Sequence, residues 1–299
     1  MNLYDEIKSH FTLPDAYEDW AHYRNTLTDY LITQTDSVTL PLSFSHGMAQ
    51  SDLLPTLAIL GAGSCNDLDL SRLSSHFSKI TLIDYDEDAM FAALETYHLE
   101  DTSNIECLPL SLNGFTDYDY RDFCEKLQFF LRTQQQELTS KRFESYALSL
   151  LNDELEEKRH TSIPLAPASY DYIWCFGVHS QLFSMFTYIY HAFEVNLQNT
   201  LYSESDPASH AFYDRVKEEN SRFIPLFHNT ILAAAKKMVF LGLEQKSTTC
   251  EGAVEGAYQA ICDIRNRSIP HEERIILWPF CPAKNLSYEM LILNIPSGT

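Results

Sequence analysis

The amino-acid sequence predicts an α/β fold with a doubly wound, mostly parallel seven-stranded sheet whose last strand is antiparallel. Short apolar runs alternate with helical patterns along most of the 299 residues. A glycine pair follows the first apolar run and an aspartate closes the second, an arrangement typical of nucleotide-binding sheets. The last two apolar runs lie too close together for a helical crossover, so we expect them to pair antiparallel.

The first half of the chain supplies an N-terminal helical region and three strands. Residues 1–50 are expected to form a helical layer or lid, because apolar side chains recur at helical spacing over residues 14–33. A loop rich in Ser, Pro and Gly follows at residues 41–55. The main domain, residues 51–299, then opens with a strand at 57–60, a helix at 66–76, a strand at 80–83, a helix at 87–98 and a strand at 105–110.

The alternation pauses after the third strand and then resumes. Residues 115–167 are predicted to form a helical insertion with helices at 120–135 and 142–158. The remaining elements are a strand at 170–175, helices at 180–201 and 223–236, a strand at 238–242, a helix at 256–265, and strands at 274–278 and 288–294.

Charge and cysteine content exclude several classes of protein. The chain has 42 acidic and 21 basic residues, a net charge of −21, which repels the phosphate backbone of nucleic acids. This acidity indicates solubility or, alternatively, a preference for neutral or cationic substrates. The seven cysteines form no C-x-x-C pair, and we assign no metal site. The sequence shows no signal peptide and no membrane-spanning run, so we expect a cytoplasmic protein.

The chemistry is expected at the ends of the first two strands. Gly61 and Gly63 let a ligand approach the backbone closely, and Asp84 is placed to accept hydrogen bonds from a ribose. A tight turn without a ligand is the alternative. A dinucleotide site would have a third glycine at position 66, where this chain has Asn66. Asn66 and Asp67 at a helix start would also discourage a phosphate, although both are ordinary helix caps.

Three segments together resemble the motifs of class I S-adenosylmethionine-dependent methyltransferases. They are LAILGAGSCNDLDL at 57–70, ITLIDYD at 80–86 and YDYIWCFGVHSQL at 170–182, and the first and third resemble a bacterial branch of that family. The resemblance implies S-adenosylmethionine as the cofactor, with Gly61, Ala62 and Gly63 around its methionine portion and Asp84 on its ribose. It also implies that Tyr85 lies beside the adenine.

The resemblance extends to the adenine pocket and the loop after the fourth strand. Ser111 or Asn113 stands where the family usually has an aspartate near the adenine amino group. Residues just past the fourth strand face the transferred methyl group in this family, which brings His179 and Gln181 to the site. His179 could act as a general base or could pack at a helix start. Gln181 could orient a substrate or cap a helix. We expect both residues to lie across the crevice from Gly61 and Gly63.

The N-terminal helix offers two candidate substrate residues. Arg24 could hold a carboxylate through two parallel hydrogen bonds, with Trp20 beside it, if this helix covers the site. Packing of an amphipathic helix on the sheet domain accounts for Trp20 equally well.

The sequence therefore predicts methyl transfer from S-adenosylmethionine to a small molecule or a peptide. Three alternatives stay open. The chain could be a sensor that binds the cofactor without catalysis, an NAD-dependent oxidoreductase, or an enzyme that transfers the aminocarboxypropyl group of the same cofactor.

Overall fold

The sheet of the predicted fold is present in full. The computed structural model describes residues 3–9, 13–38, 54–134, 138–200, 210–249 and 252–298, so most of the predicted loop at 41–55 lies outside the described residues. The strands are β1 (Thr56–Leu60), β2 (Lys79–Asp84), β3 (Ile105–Pro109), β4 (Tyr170–Phe176), β5 (Ala235–Ser247), β6 (Glu272–Cys281) and β7 (Leu286–Pro296).

The strand order confirms the predicted fold class. The sheet runs β3-β2-β1-β4-β5-β7-β6. Neighbouring strands from β3 to β5 pair in parallel, whereas β7 runs antiparallel to both β5 and β6. The last strand is therefore the antiparallel one, as the short connection before it requires.

Helices occupy both faces of the sheet. They are α1 (Leu3–Ser9), α2 (Ala16–Asp19), α3 (Ala21–Val38), α4 (Leu70–His76), α5 (Glu87–Thr96), α6 (Asp117–Thr133), α7 (Ser140–Glu157), α8 (Ser184–Thr200), α9 (Ala211–Ala234) and α10 (Ala257–Asn266). In the part of the chain that the structure describes, no helix is long and apolar enough to cross a membrane.

Several helices begin at different residues from those that the sequence predicts, and α4 and α9 show two physical reasons. Helix α4 begins at Leu70 rather than at residue 66, because the Asp69 side chain accepts a hydrogen bond from the Arg72 N–H at 3.1 Å and caps the helix there. Helix α9 begins well before residue 223. Its first half is polar and Pro225 lies inside it, so the apolar pattern alone does not reveal its start.

Side chains of each strand alternate between two cores, as the period of a β-strand requires. In β1, Leu57 and Ile59 pack against α3, α4 and α5, whereas Ala58 and Leu60 face the core that includes α6 to α10. Strand β1 lies between β2 and β4. The connection after β1 therefore leaves the sheet on one face, and the connection after β4 leaves it on the other. A crevice opens at the carboxyl edge where the order reverses, and ligands of such sheets bind there.

The N-terminal helices are divided between the two faces. Tyr23, Leu27 and Leu31 of α3 are buried in the same core as Leu57, so α3 covers a face of the sheet. Tyr4 of α1 is buried in the opposite core, where α1 contacts α6 and α8.

Two glycines precede α10, and one of them lies in close contact with the loop after β4. Gly252 and Gly256 both have positive φ, at 101° and 84°. A methyl group at Gly256 would overlap the carbonyl oxygen of His179, whereas one at Gly252 would meet no atom within 4 Å. Gly252→Ala should therefore lower the free energy of unfolding by about 1–2 kcal/mol through backbone strain alone.

Gly256→Ala should lower the free energy of unfolding by ~1–3 kcal/mol more than Gly252→Ala does, because the added methyl group overlaps the His179 carbonyl oxygen. Urea denaturation of both variants measures the difference. Equal losses of stability would contradict the close contact between Gly256 and His179.

Candidate functional site at the carboxyl edge of the sheet

The loop after β1 leaves open space above its second glycine. Gly61 and Gly63 have φ angles of 66° and 46°, a region that side chains disfavour. A Cβ at Gly61 would lie 2.5 Å from Val178 Cγ2, so this loop directly contacts the loop after β4. A Cβ at Gly63 would meet no atom within 4 Å. A ligand can therefore approach the backbone at Gly63 itself.

Asp84 ties the end of β2 to this glycine loop. Its Oδ2 accepts a hydrogen bond from the Gly63 N–H at 2.9 Å, and its Oδ1 accepts one from the Asp86 N–H at 2.9 Å. Burial raises the pKa of Asp84, and these two hydrogen bonds oppose the rise. Each carboxylate oxygen can accept a second hydrogen bond, so the group still has capacity for two ribose hydroxyls.

Helix α1 reaches the loop that follows Asp84. Lys8 Nζ lies 3.0 Å from Asp86 Oδ2 and 2.7 Å from Asp117 Oδ2, and it also lies 5.5 Å from the centroid of the Tyr85 ring. The Tyr85 side chain is 38% exposed. The ring expected beside an adenine is thus accessible, next to a helix held by two ion pairs.

Ser111 and Asn113 organise their own loop. The Asn113 amide donates to Tyr120 Oη and to the carbonyl of Leu182, and its Oδ1 accepts from Ser111 Oγ at 2.9 Å and from the Phe115 N–H at 3.0 Å. Ser111 Oγ also lies 2.6 Å from the Phe115 carbonyl oxygen, so its single hydrogen is shared between this oxygen and Asn113 Oδ1. Both amide hydrogens of Asn113 have protein partners, and these hydrogen bonds hold the loop after β3. A contact of Ser111 or Asn113 with the adenine stays a prediction.

Arg24 borders the loop after β1. Its Nη1 donates to the carbonyls of Tyr17 at 2.7 Å and Asn66 at 3.2 Å, and its guanidinium lies 4.0 Å from the Tyr17 ring centroid. Burial raises the pKa of Asp67 in the same loop to about 6, while the charge of Arg24 lowers it. Arg24 therefore joins α3 to this loop and partly offsets its negative charge.

Trp20 packs at the far end of the crevice. Its Nε1 donates to the Phe280 carbonyl at 3.1 Å, and its ring meets Trp278 edge to face with centroids 4.9 Å apart. Trp278 in turn stacks on Tyr23 and contacts Tyr288. We call Trp20, Tyr23, Trp278, Phe280 and Tyr288 the aromatic cluster. It joins the start of α3 to the carboxyl end of β6 and the amino end of β7.

Of the two roles that the sequence left open for His179, its surroundings match packing inside the protein. Its side chain is completely buried, with its Nε2 3.0 Å from His228 Nε2 and its ring 5.3 Å from that of Phe227. The ring thus packs against α9 and not at the open rim. A catalytic role for His179 stays a prediction.

A chain of hydrogen bonds fixes the tautomers of this histidine pair. His228 Nδ1 lies 2.7 Å from Asp263 Oδ2, so it carries the hydrogen and leaves His228 Nε2 as an acceptor. His179 Nε2 must then donate to it, which leaves His179 Nδ1 as a buried acceptor without a partner. Sequence reasoning missed His228 and Asp263, because no local motif joins α9 and α10 to this loop.

The residues after His179 turn toward β5. Gln181 is exposed, and its Nε2 donates to the Gly177 carbonyl at 3.0 Å. Ser180 Oγ donates to Glu244 Oε1 at 2.7 Å. Glu244 is 4% exposed, and burial raises its pKa. Glu244 is not among the residues predicted from the sequence, although an acidic residue at the end of the apolar run of β5 is a signal for it.

The geometry brings Gly61, Gly63, Asp84 and the Gly177–Gln181 loop to one edge. The residues that could hold a nucleoside lie at β1 and β2, and those that could meet a second substrate lie at β4 and β5. Within the described ranges, no group of three or more His, Cys, Asp or Glu side chains is arranged to hold a metal ion.

Solved structures with a similar fold span the whole chain at low identity. An S-adenosylmethionine-dependent methyltransferase from Aquifex aeolicus is 13% identical, with a TM-score of 0.42 over 99% of this chain and 100% of that one. The N-methyltransferase NodS from Bradyrhizobium japonicum, in complex with S-adenosylhomocysteine, is 12% identical, with a TM-score of 0.44 over the full length of both chains.

Magnesium protoporphyrin IX methyltransferase from Synechocystis, with bound S-adenosylhomocysteine, is 10% identical, with a TM-score of 0.44 over 99% of this chain and 92% of that one. No family model matches the chain, and no curated protein matches its sequence. The strand order and the single antiparallel strand decide the architecture. The chain has a Rossmann-like α/β fold with a mostly parallel sheet and one antiparallel strand. At these identities and TM-scores, what the three proteins bind is a property of those proteins alone.

The buried histidine pair should make stability depend on pH. Burial and the neighbouring His228 lower the pKa of His179 well below its ordinary value. The unfolded chain therefore binds more protons than the folded one once the pH falls below about 6.5, and stability decreases there. His179→Phe removes this titrating group, so its free energy of unfolding should not decrease for this reason as the pH falls. The difference in free energy of unfolding between the wild type and the variant should therefore shrink by up to about 1.4 kcal/mol per pH unit below pH 6.5.

Chemical denaturation between pH 8 and pH 5 measures this change. The exposed His22 provides the control, and His22→Gln should follow the wild type. Parallel stability curves for the wild type and His179→Phe would contradict the buried neutral pair.

Proposed function

We propose that this chain is a class I methyltransferase that binds S-adenosylmethionine and methylates a small molecule. The observation that carries the proposal is the hydrogen bond from the Gly63 N–H to Asp84 Oδ2 beneath open space. This bond places a carboxylate with spare acceptor capacity beside a glycine backbone that a ligand can reach. A nucleoside with two ribose hydroxyls fits that arrangement.

Residues at the same edge of the sheet are proposed to contact each part of the cofactor. Asp84 would hold the ribose, the backbone of Gly61, Ala62 and Gly63 would face the methionine portion, and the accessible ring of Tyr85 would lie beside the adenine. Arg24 is proposed as the partner of the cofactor carboxylate, because it is bonded to the same loop at Asn66. Asp67 supplies negative charge near the cationic sulfonium.

When bound, S-adenosylmethionine supplies an activated methyl group on a positively charged sulfur. The protein's task is then to align the nucleophile and to accept a proton where the nucleophile carries one. Ser180 and Gln181 follow β4 at this edge, and Glu244 ends the buried part of β5 beside them. These residues are proposed to face the methyl acceptor, whereas His179 supports their loop from behind through His228 and Asp263.

A dinucleotide fits this edge poorly. Its pyrophosphate would need the N-terminus of the helix directly after the glycine loop. Helix α4 begins only at Leu70, and the Asp69 carboxylate already accepts from the Arg72 N–H at its start. The position of a third glycine is taken by Asn66. These features favour S-adenosylmethionine over NAD.

The proposed substrate is a small molecule and not a nucleic acid. Acidic residues outnumber basic ones by 42 to 21, and Asp67, Asp84 and Glu244 add negative charge at the edge itself. A polyanion would be repelled from such a surface. A cytoplasmic location stays a prediction.

The contribution of Asp84 can be measured by titration calorimetry with S-adenosylhomocysteine. Wild-type protein should bind this ligand and not NAD. Asp84→Ala should weaken binding by about 1–3 kcal/mol, the usual loss for a hydrogen bond to a charged group.

A matched control is the exposed Asp101, which precedes β3 at the opposite edge of the sheet. Asp101→Ala should bind as the wild type does. The proposal fails if the wild type does not bind S-adenosylhomocysteine, if it binds NAD tightly, or if Asp84→Ala retains full affinity.

A further inference from the structure

Glu244 is a buried carboxylate without a cation. It lies on the face of β5 that carries Phe240, toward α3 and the aromatic cluster, and it is 4% exposed. Its Oε1 accepts from Ser180 Oγ, whereas its Oε2 is buried and has no hydrogen-bond partner. A buried carboxylate in this state is costly unless a positive group pairs with it.

The groups around Glu244 do not supply that positive charge. Four titratable side chains lie close enough to be affected by its charge: Tyr23 of α3, Cys175 of β4, Tyr188 of α8 and Tyr288 of β7. Burial raises the pKa of each, and the charge of Glu244 adds to the rise. None of these side chains is cationic. Across the described segments, Glu244 takes part in no ion pair with Lys, Arg or His, and no cation shifts its pKa.

The surroundings of Glu244 combine apolar walls with unused polar atoms. Tyr23 and Tyr288 belong to the aromatic cluster, whose central ring, Trp278, has a buried Nε1 without a partner. Aromatic faces attract cations and cover apolar groups.

We propose that Glu244 binds the protonated amino group of the methyl acceptor, so that the substrate is an amine carried on an apolar or aromatic body. This inference rests on the proposed methyl transfer and adds the class of substrate. The net charge of −21 supports it, because such a field raises the local concentration of cations and repels anions.

The reaction requires the amine to lose a proton first, because an ammonium ion has no lone pair. The proton passes from the nitrogen to Glu244 Oε2, which leaves a neutral amine and a protonated carboxyl group. Burial raises the pKa of Glu244 and favours this transfer. The nitrogen lone pair then forms the bond to the methyl carbon, the carbon–sulfur bond breaks, and its electron pair stays on sulfur.

Three probes of one shape but different charge test the inference. Benzylamine, benzyl alcohol and benzoate are titrated into the wild-type protein at saturating S-adenosylhomocysteine. Benzylamine should bind at least about tenfold more tightly than benzyl alcohol, as expected for a hydrogen bond to a buried charge, and benzoate should bind most weakly. Benzylamine binding no tighter than benzyl alcohol binding overturns the inference.

Variants then assign the preference to Glu244. Glu244→Gln is isosteric and neutral, and it should lose the preference for benzylamine while keeping its affinity for S-adenosylhomocysteine. Glu244→Asp retains the charge and should retain part of the preference. Glu272→Gln, at the exposed amino end of β6, is the control and should behave as the wild type.

Binding of S-adenosylhomocysteine distinguishes a failure of this inference from a failure of the proposed function. Normal S-adenosylhomocysteine binding together with an unchanged amine preference in Glu244→Gln overturns the role of Glu244 alone. Absence of S-adenosylhomocysteine binding in the wild type contradicts the proposed function itself.

Discussion

The reversal of strand order on either side of β1 is the constraint on which the site depends. Because β2 and β4 flank β1, the loops after β1 and β4 diverge to opposite faces and leave a crevice between them. The two loops still touch where Gly61 meets Val178, and Asp84 fastens the glycine loop to β2 through the Gly63 N–H. The crevice is therefore open above Gly63, while the glycine loop below it is held by its contacts with Val178 and Asp84.

Most of the sheet could be predicted from the sequence because its central strands contain short, buried apolar runs. Strands such as β1 and β4 are covered on both faces, so nearly all their residues are apolar and the pattern is unambiguous. Helix α9 was harder to delimit. Its first half is held by polar contacts, including the ion pairs of the buried Glu219 with Arg215 and Arg222.

The functional side chains were less predictable than the backbone that carries them. The proposed roles of Gly61, Gly63 and Asp84 depend on backbone conformation and on the position of strand ends, which the local sequence encodes. His179 and Ser180 are neighbours in one loop, yet His179 points to His228 on α9 and Ser180 to Glu244 on β5. That division depends on distant segments of the chain, so the motif around residue 179 could not reveal it.

Charge links the two halves of the proposed site. Asp67 and Asp84 are carboxyl groups beside the proposed cofactor position, and Glu244, at the end of the buried part of β5, has no cationic partner among the described residues. Arg24 offsets only the charge nearest the loop after β1. An acidic crevice of this kind suits two positively charged ligands in succession, a sulfonium cofactor and an ammonium substrate.

The most direct measurement is a crystal structure of the protein with S-adenosylhomocysteine. The account predicts the ribose hydroxyls within hydrogen-bond distance of the Asp84 carboxylate, the Tyr85 ring beside the adenine, and the sulfur above Gly63 on the side of Ser180 and Glu244. A ligand bound elsewhere, or a crevice that stays empty at millimolar ligand while Asp84 remains bonded to Gly63, would contradict it.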